Sequence, residues 1–231
     1  MIRISRLFAW VIIASGWPLA AQGPSTVQAD NSQPTDIRID HDVQVENWRV
    51  LDIFQYILRG TAIHGGFVEI ADCSILPKGR LHIGTGLTIR QAMDALVAAN
   101  PGYKWELRDG VVNMVPISGA PLLNTRISRF EMAATEMQIP AVVEDVLRLP
   151  EVRERETAIG VKEGPGQGGL SSGEVHPIPR QPVPVHVDLE NLLLQDAFNK
   201  IVRVSPKWIW IYHENSCNGA KTFIVEVASD Y

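Results

Sequence analysis

An apolar stripe at positions i, i+3, i+4, i+7 and i+8 occurs four times in this chain. It reads Val50, Ile53, Phe54, Ile57, Leu58, then Ile89, Ala92, Met93, Leu96, Val97. It returns as Ile139, Val142, Val143, Val146, Leu147 and again as Leu194, Ala197, Phe198, Ile201, Val202. At 3.6 residues per turn such a stripe runs along one side of a helix, so each copy predicts a short amphipathic helix with one buried face. Around the second and fourth copies the match is longer. Leu87, Ala92, Leu96, Pro101, Tyr103, Trp105 and Leu107 recur, 105 residues on, as Leu192, Ala197, Ile201, Pro206, Trp208, Trp210 and Tyr212. A helix, a proline break and an aromatic strand recur as one block, which implies a doubled small module and disfavours a single large enzyme core.

The 231 residues suffice for one large domain or two small ones, and 45% apolar with 20% charged residues excludes general disorder. Arg3 and Arg6 precede an apolar run from Leu7 to Ala14, and Leu19-Ala20-Ala21 follows. This is the layout of a secretory signal peptide over residues 1–21, with cleavage before Gln22, and the run is too short to cross a bilayer comfortably. The alternative is an uncleaved anchor. Removing two arginines and no acids shifts the formal charge from 21 − 26 = −5 to 19 − 26 = −7. A net-negative exported chain without a basic cluster excludes nucleic-acid binding. Export to an oxidising compartment permits one disulfide between Cys73 and Cys217, which would staple the two modules together; two unpaired thiols are the alternative.

Residues 22–36 read as a polar, flexible leader. Val43 to Glu46 alternates like a strand, Asn47 is placed to cap the first helix, and Gly60 to end it. Phe67 to Ala71 and Leu81 to Ile83 read as strands, and Thr88-Ile89-Arg90-Gln91 has the form of a capping box. Tyr103 to Arg108 and Val111 to Val115 form a hairpin about Asp109-Gly110. The first module is thus β-α-β-β-α-β-β over 37–118. The second, over 119–231, repeats the order: a strand from Arg126 to Met132, a helix with Pro140 in its first turn, the strand Val185 to Val187, a helix, and a hairpin of Lys207–His213 against Thr222–Val227. It is interrupted at about 163–184 by five glycines and five prolines, a flexible or extended insertion. The expected fold class is α+β: two tandem modules, each a small sheet with two helices packed on one face.

Leu-Thr-Ile-Arg-Gln-Ala-Met-Asp-Ala-Leu leading into Tyr-Lys-Trp-Glu-Leu-Arg-Asp-Gly-Val-Val resembles the secretin and TonB short N-terminal domain, STN. The resemblance spans 43–118, and more loosely 126–228, where Leu193 stands in place of the capping threonine. It implies a non-catalytic periplasmic interaction module of the bacterial cell envelope, serving secretion, assembly or signalling. The implied partner is another envelope protein: a secretin, a TonB-linked receptor or a sigma-regulator component. No barrel, plug or secretin channel follows, so a pore role is not implied.

The residues themselves supply no catalytic, cofactor-binding or metal-binding set. The six histidines lack helical metal-ligand spacing, and His82 and His186, in equivalent strands, are expected to face outward. Gly60, Gly65 and Gly66 do not form a phosphate loop. His213, Glu214 and Cys217 lie close in sequence and define the enzymatic alternative, a small periplasmic hydrolase. The stronger signal is apolar. If Trp208, Trp210 and Tyr212 face their own helices, Ile209 and Ile211 lie on the opposite side, with Ile224 and Ala228 beside them. Exposing two isoleucines costs on the order of 3 kcal/mol, so either the first module or a partner must cover them. Ile209, Ile211 and Ile224 are therefore the candidate partner-binding residues.

Overall fold

The computed structural model describes residues 34–73, 75–135, 138–164, 183–204 and 208–229. The expected signal peptide, most of the leader and most of the insertion lie outside the described residues. Thr35, assigned by sequence to the leader, is buried and accepts a hydrogen bond from Arg90.

The first half runs β1 (Val43–Arg49), α1 (Val50–Leu58), β2 (His64–Asp72), β3 (Lys78–Ile83), α2 (Ile89–Ala99), β4 (Tyr103–Arg108) and β5 (Val111–Pro116). The capping box at Thr88 is formed: its hydroxyl accepts from the Gln91 N–H while the Gln91 side chain accepts from the Thr88 N–H. Asp109 and Gly110 both take positive φ, as a two-residue hairpin turn requires. Asn47 does not cap α1. The N-cap is Arg49, and Asn47 takes φ 61° at a register shift between β1 and β3, a use of asparagine's tolerance for left-handed backbone.

The second half runs β6 (Arg126–Thr135), α3 (Ile139–Leu147), α4 (Pro150–Ile159), β7 (Val161–Glu163), β8 (Pro184–Leu193), α5 (Leu194–Arg203), β9 (Trp208–Cys217) and β10 (Ala220–Ser229). Helix α4 and strand β7 were not expected. The α4 sequence is largely polar and buries only Val152 and Glu156, so it carries no apolar stripe; its marks are Pro150 in the first turn and Gly160 in left-handed conformation after the last.

The fold is α+β. Two antiparallel pairs, β1·β3 and β6·β8, flank a six-stranded mixed sheet of order β4-β5-β2-β9-β10-β7. This corrects the expectation of two separate small sheets, each with two helices on one face: β2 pairs in parallel with β9 from Gly65↔Ile209 to Asp72↔Ser216, so strands of both halves share one sheet with helices on both faces, and β1 and β3 stand outside it. Alternation along each strand then builds two cores. Phe67, Val112, Met114, Ile209 and Ile211 pack with α1 and α2 on one face; Val68, Val111, Val115, Trp210 and Tyr212 pack with α3, α4 and α5 on the other.

Gly65 and Gly66 make this junction. A Cβ on Gly65 would lie 2.7 Å from Ile209, 2.9 Å from Leu58 and 3.0 Å from Phe54. On the opposite face, a Cβ on Gly66 would lie 2.4 Å from the Trp210 ring and 2.5 Å from Asn113 Oδ1. One strand thereby admits α1 on one side and an indole on the other. The two tryptophans related by the 105-residue interval keep one bond in common: Trp105 Nε1 donates to Asp94 Oδ1 and Trp210 Nε1 donates to Asn199 Oδ1, each at 2.7 Å. Trp105, on an edge strand, is half-buried; Trp210, on an interior strand, is fully buried.

Candidate functional site

The junction between β2 and β9 gathers the features that bear on function. At its far end Cys73 and Cys217 are bonded, with Cα atoms 4.4 Å apart. They follow the paired residues Asp72 and Ser216, and the Cys73 N–H donates to the Ser216 carbonyl, so the parallel register itself delivers the two sulfurs to each other. Cys73 is exposed and Cys217 half-buried.

Ile209 and Ile211 are 0% and 3% exposed, beneath α1 and α2. Their expected role as a partner face is corrected: the first half covers them, because parallel pairing with β2 carries them under its helices. Ile224 remains half-exposed. It lies on β10, whose outer neighbour β7 reaches only Lys221, Thr222 and Phe223. From Ile224 to Ser229 the outer edge of β10 has no strand neighbour among the described residues. The Gly164 N–H donates to the Phe223 carbonyl, so Phe223 turns its backbone groups toward β7. By alternation Val225 and Val227 turn theirs the same way, toward the open edge.

The sequence-proposed trio of His213, Glu214 and Cys217 is not brought together. Adjacent strand positions point to opposite faces. Glu214 is buried and accepts a hydrogen bond from the Tyr212 hydroxyl at 2.7 Å, and Cys217 is in the disulfide. His213 belongs to a different cluster, one that joins the two halves. Glu69 of β2, 1% exposed, accepts on its Oε2 from Arg49 Nη2 at 2.8 Å and from His213 Nδ1 at 2.9 Å. His213 Nε2 lies 3.8 Å from Glu226 Oε2 on β10. Burial pushes the Glu69 carboxyl up, but the His213 and Arg49 donors outweigh it and hold the group below the ordinary carboxylate range. Burial likewise pulls the His213 imidazole down, while Glu226 and Glu69 outweigh it and raise it. His213 holds Glu226 low in turn. Burial and the nearby Glu69 charge push the Tyr103 phenol upward.

A buried carboxylate behind an imidazole orients the ring and favours its charged form. Here the far nitrogen faces a second carboxylate, so the set holds a proton between two acids. Among the described residues no group of three His, Cys, Asp or Glu is placed to hold a metal ion. Sequence reasoning missed Glu69, Arg49 and Glu226. One signal was available: Glu69 is the lone charge in the apolar run Phe67-Val68-Glu69-Ile70-Ala71, and a charge inside a strand buried on both faces demands a partner. No family model, curated protein or solved structure matches this chain.

Proposed function

We propose that the chain is an exported, non-catalytic interaction module of the bacterial cell envelope, of the kind its resemblance to secretin and TonB-receptor N-terminal domains implies, and that its partner adds a strand to the outer edge of β10. The observation that carries this reading is the mismatch between a ten-residue β10 and a three-residue β7, which leaves Ile224–Ser229 without an outer strand neighbour among the described residues, beside a half-exposed isoleucine. An inter-half disulfide and a signal-peptide-like start both suit an oxidising, exported setting. No helix among the described residues is long and apolar enough to cross a membrane.

Strand addition draws its affinity from backbone pairing, so the test removes a backbone donor. Val225→Pro deletes an outward N–H and leaves the bonds to β9 in place. A photo-crosslinker at position 224 should capture an envelope protein, and purified preparations of that protein should bind wild type at least ten times tighter than Val225→Pro. Equal affinity of the two for the captured protein rejects the edge as the docking site.

A further inference from the structure

The cluster about His213 spans four strands of the two halves and serves no part of the docking edge just described. Glu69, wholly buried, lies between Arg49 of the first half and His213 of the second. Glu226 stands on the other side of the imidazole, 42% exposed. The charged or titratable groups facing the ring are therefore Glu69 on β2, Glu226 on β10 and, through Glu69, Arg49 at the end of β1 and Tyr103 on β4. Glu69 and His213 are also register partners on β2 and β9, the one strand pair that joins the halves into a single sheet. We infer that His213 is a proton-controlled latch across this junction: charged, it ties the buried Glu69 of one half to Glu226 of the other, and uncharged, it keeps a single N–H and can no longer hold both.

Geometry makes the latch asymmetric. With a neutral ring, Glu69 loses the imidazolium charge and keeps Arg49 as its charged donor; the single N–H left on the ring can serve Glu69 or Glu226 but not both, and Glu69 Oε1 has no hydrogen-bond partner among the described residues. Glu226, partly in water, loses its cation with little consequence of its own. The loosening therefore falls on the β2·β9 seam, and the disulfide at the end of the seam keeps the two strands tethered when it loosens.

The direction of the pH effect follows from the two kinds of group. His213 titrates above its ordinary 6.5 in the folded protein, so its contribution is complete below 6.5 and is lost as pH rises through the raised value. Glu69 and Glu226 titrate below their ordinary 4.5, so their contribution is present above 4.5 and is lost as pH falls through the lowered values. The seam is tightest between these limits.

The experiment is urea unfolding of the disulfide-intact protein from pH 5 to 9, for wild type, His213→Gln and Glu226→Gln, beside an NMR titration of the His213 ring. In wild type the unfolding constant should rise above pH 6.5, by about tenfold for each unit that His213 titrates above its unfolded value. In Glu226→Gln the rise should start at the same pH but be smaller and level off at lower pH; in His213→Gln it should stay within about twofold over the same range. Backbone amides of Val68 to Ala71, corrected for intrinsic exchange, should lose protection with rising pH before those of β6 and β8. If His213→Gln fails to fold, the ring titration and Glu226→Gln decide the matter. A His213 ring titrating at or below 6.5 in the folded wild type, or parallel pH profiles for wild type and the variants, overturns the inference.

Discussion

Removing the disulfide should be the single largest stability change available without touching the core. Cys73 and Cys217 are 144 residues apart, so the bond closes most of the chain into one loop. The loop-entropy relation then gives about 17 cal/mol/K for the constraint on the unfolded chain, or about 5 kcal/mol at 25 °C. The native fold should survive, because the Cys73 N–H and the paired Asp72 and Ser216 hold the local register without the sulfurs. Guanidinium unfolding of the Cys73→Ser/Cys217→Ser variant, followed by tryptophan fluorescence, should therefore show a native baseline and a loss of about 5 kcal/mol. The denaturant slope should also rise, because an uncrosslinked unfolded chain exposes more surface. Wild type reduced under native conditions should coincide with the double variant, and the oxidised protein should titrate no free thiol. A loss below about 1 kcal/mol with an unchanged slope would refute the loop-closure reasoning.

Other expectations are as specific. Ile209→Lys with Ile211→Lys should prevent folding altogether, since both side chains are in the core and two buried ammonium groups exceed the stability of a typical domain of about 5–15 kcal/mol; a soluble double variant with native circular dichroism contradicts the burial described above. Trp210→Phe should destabilise by about 1–3 kcal/mol, because it strands buried Asn199, whose Nδ2 already has no hydrogen-bond partner among the described residues. Trp105→Phe should lose less than about 1 kcal/mol, as Asp94 is exposed and turns to water; equal losses at the two sites would show that burial does not set the difference.

Much of the local structure was legible. The four apolar stripes are four of the five α-helices among the described residues, and Thr88–Gln91 and Asp109–Gly110 form the cap and the turn that their side chains imply. These are properties of a few neighbouring residues, set by helical periodicity, by hydroxyl and amide groups at a helix start, and by backbone sterics at positive φ. The exceptions are instructive. Helix α4 has no stripe because it buries only two residues, and Asn47 is drawn from a cap to a bulge by the pairing of β1 with β3.

Among the described residues, every α-helix but α4 and every strand but β7 is readable from residue type and spacing, as are their order and the need of Ile209 and Ile211 for a cover. The pairing of β2 with β9 is set by packing in three dimensions, and with it the identity of that cover, the closure of Cys73 on Cys217, and the meeting of Glu69 with His213. The reason is physical. A strand edge presents the same N–H and C=O groups whatever its side chains, so edges do not announce their partners; the choice rests on packing of both faces at once, here on two glycines that let a helix and an indole close on one strand from opposite sides.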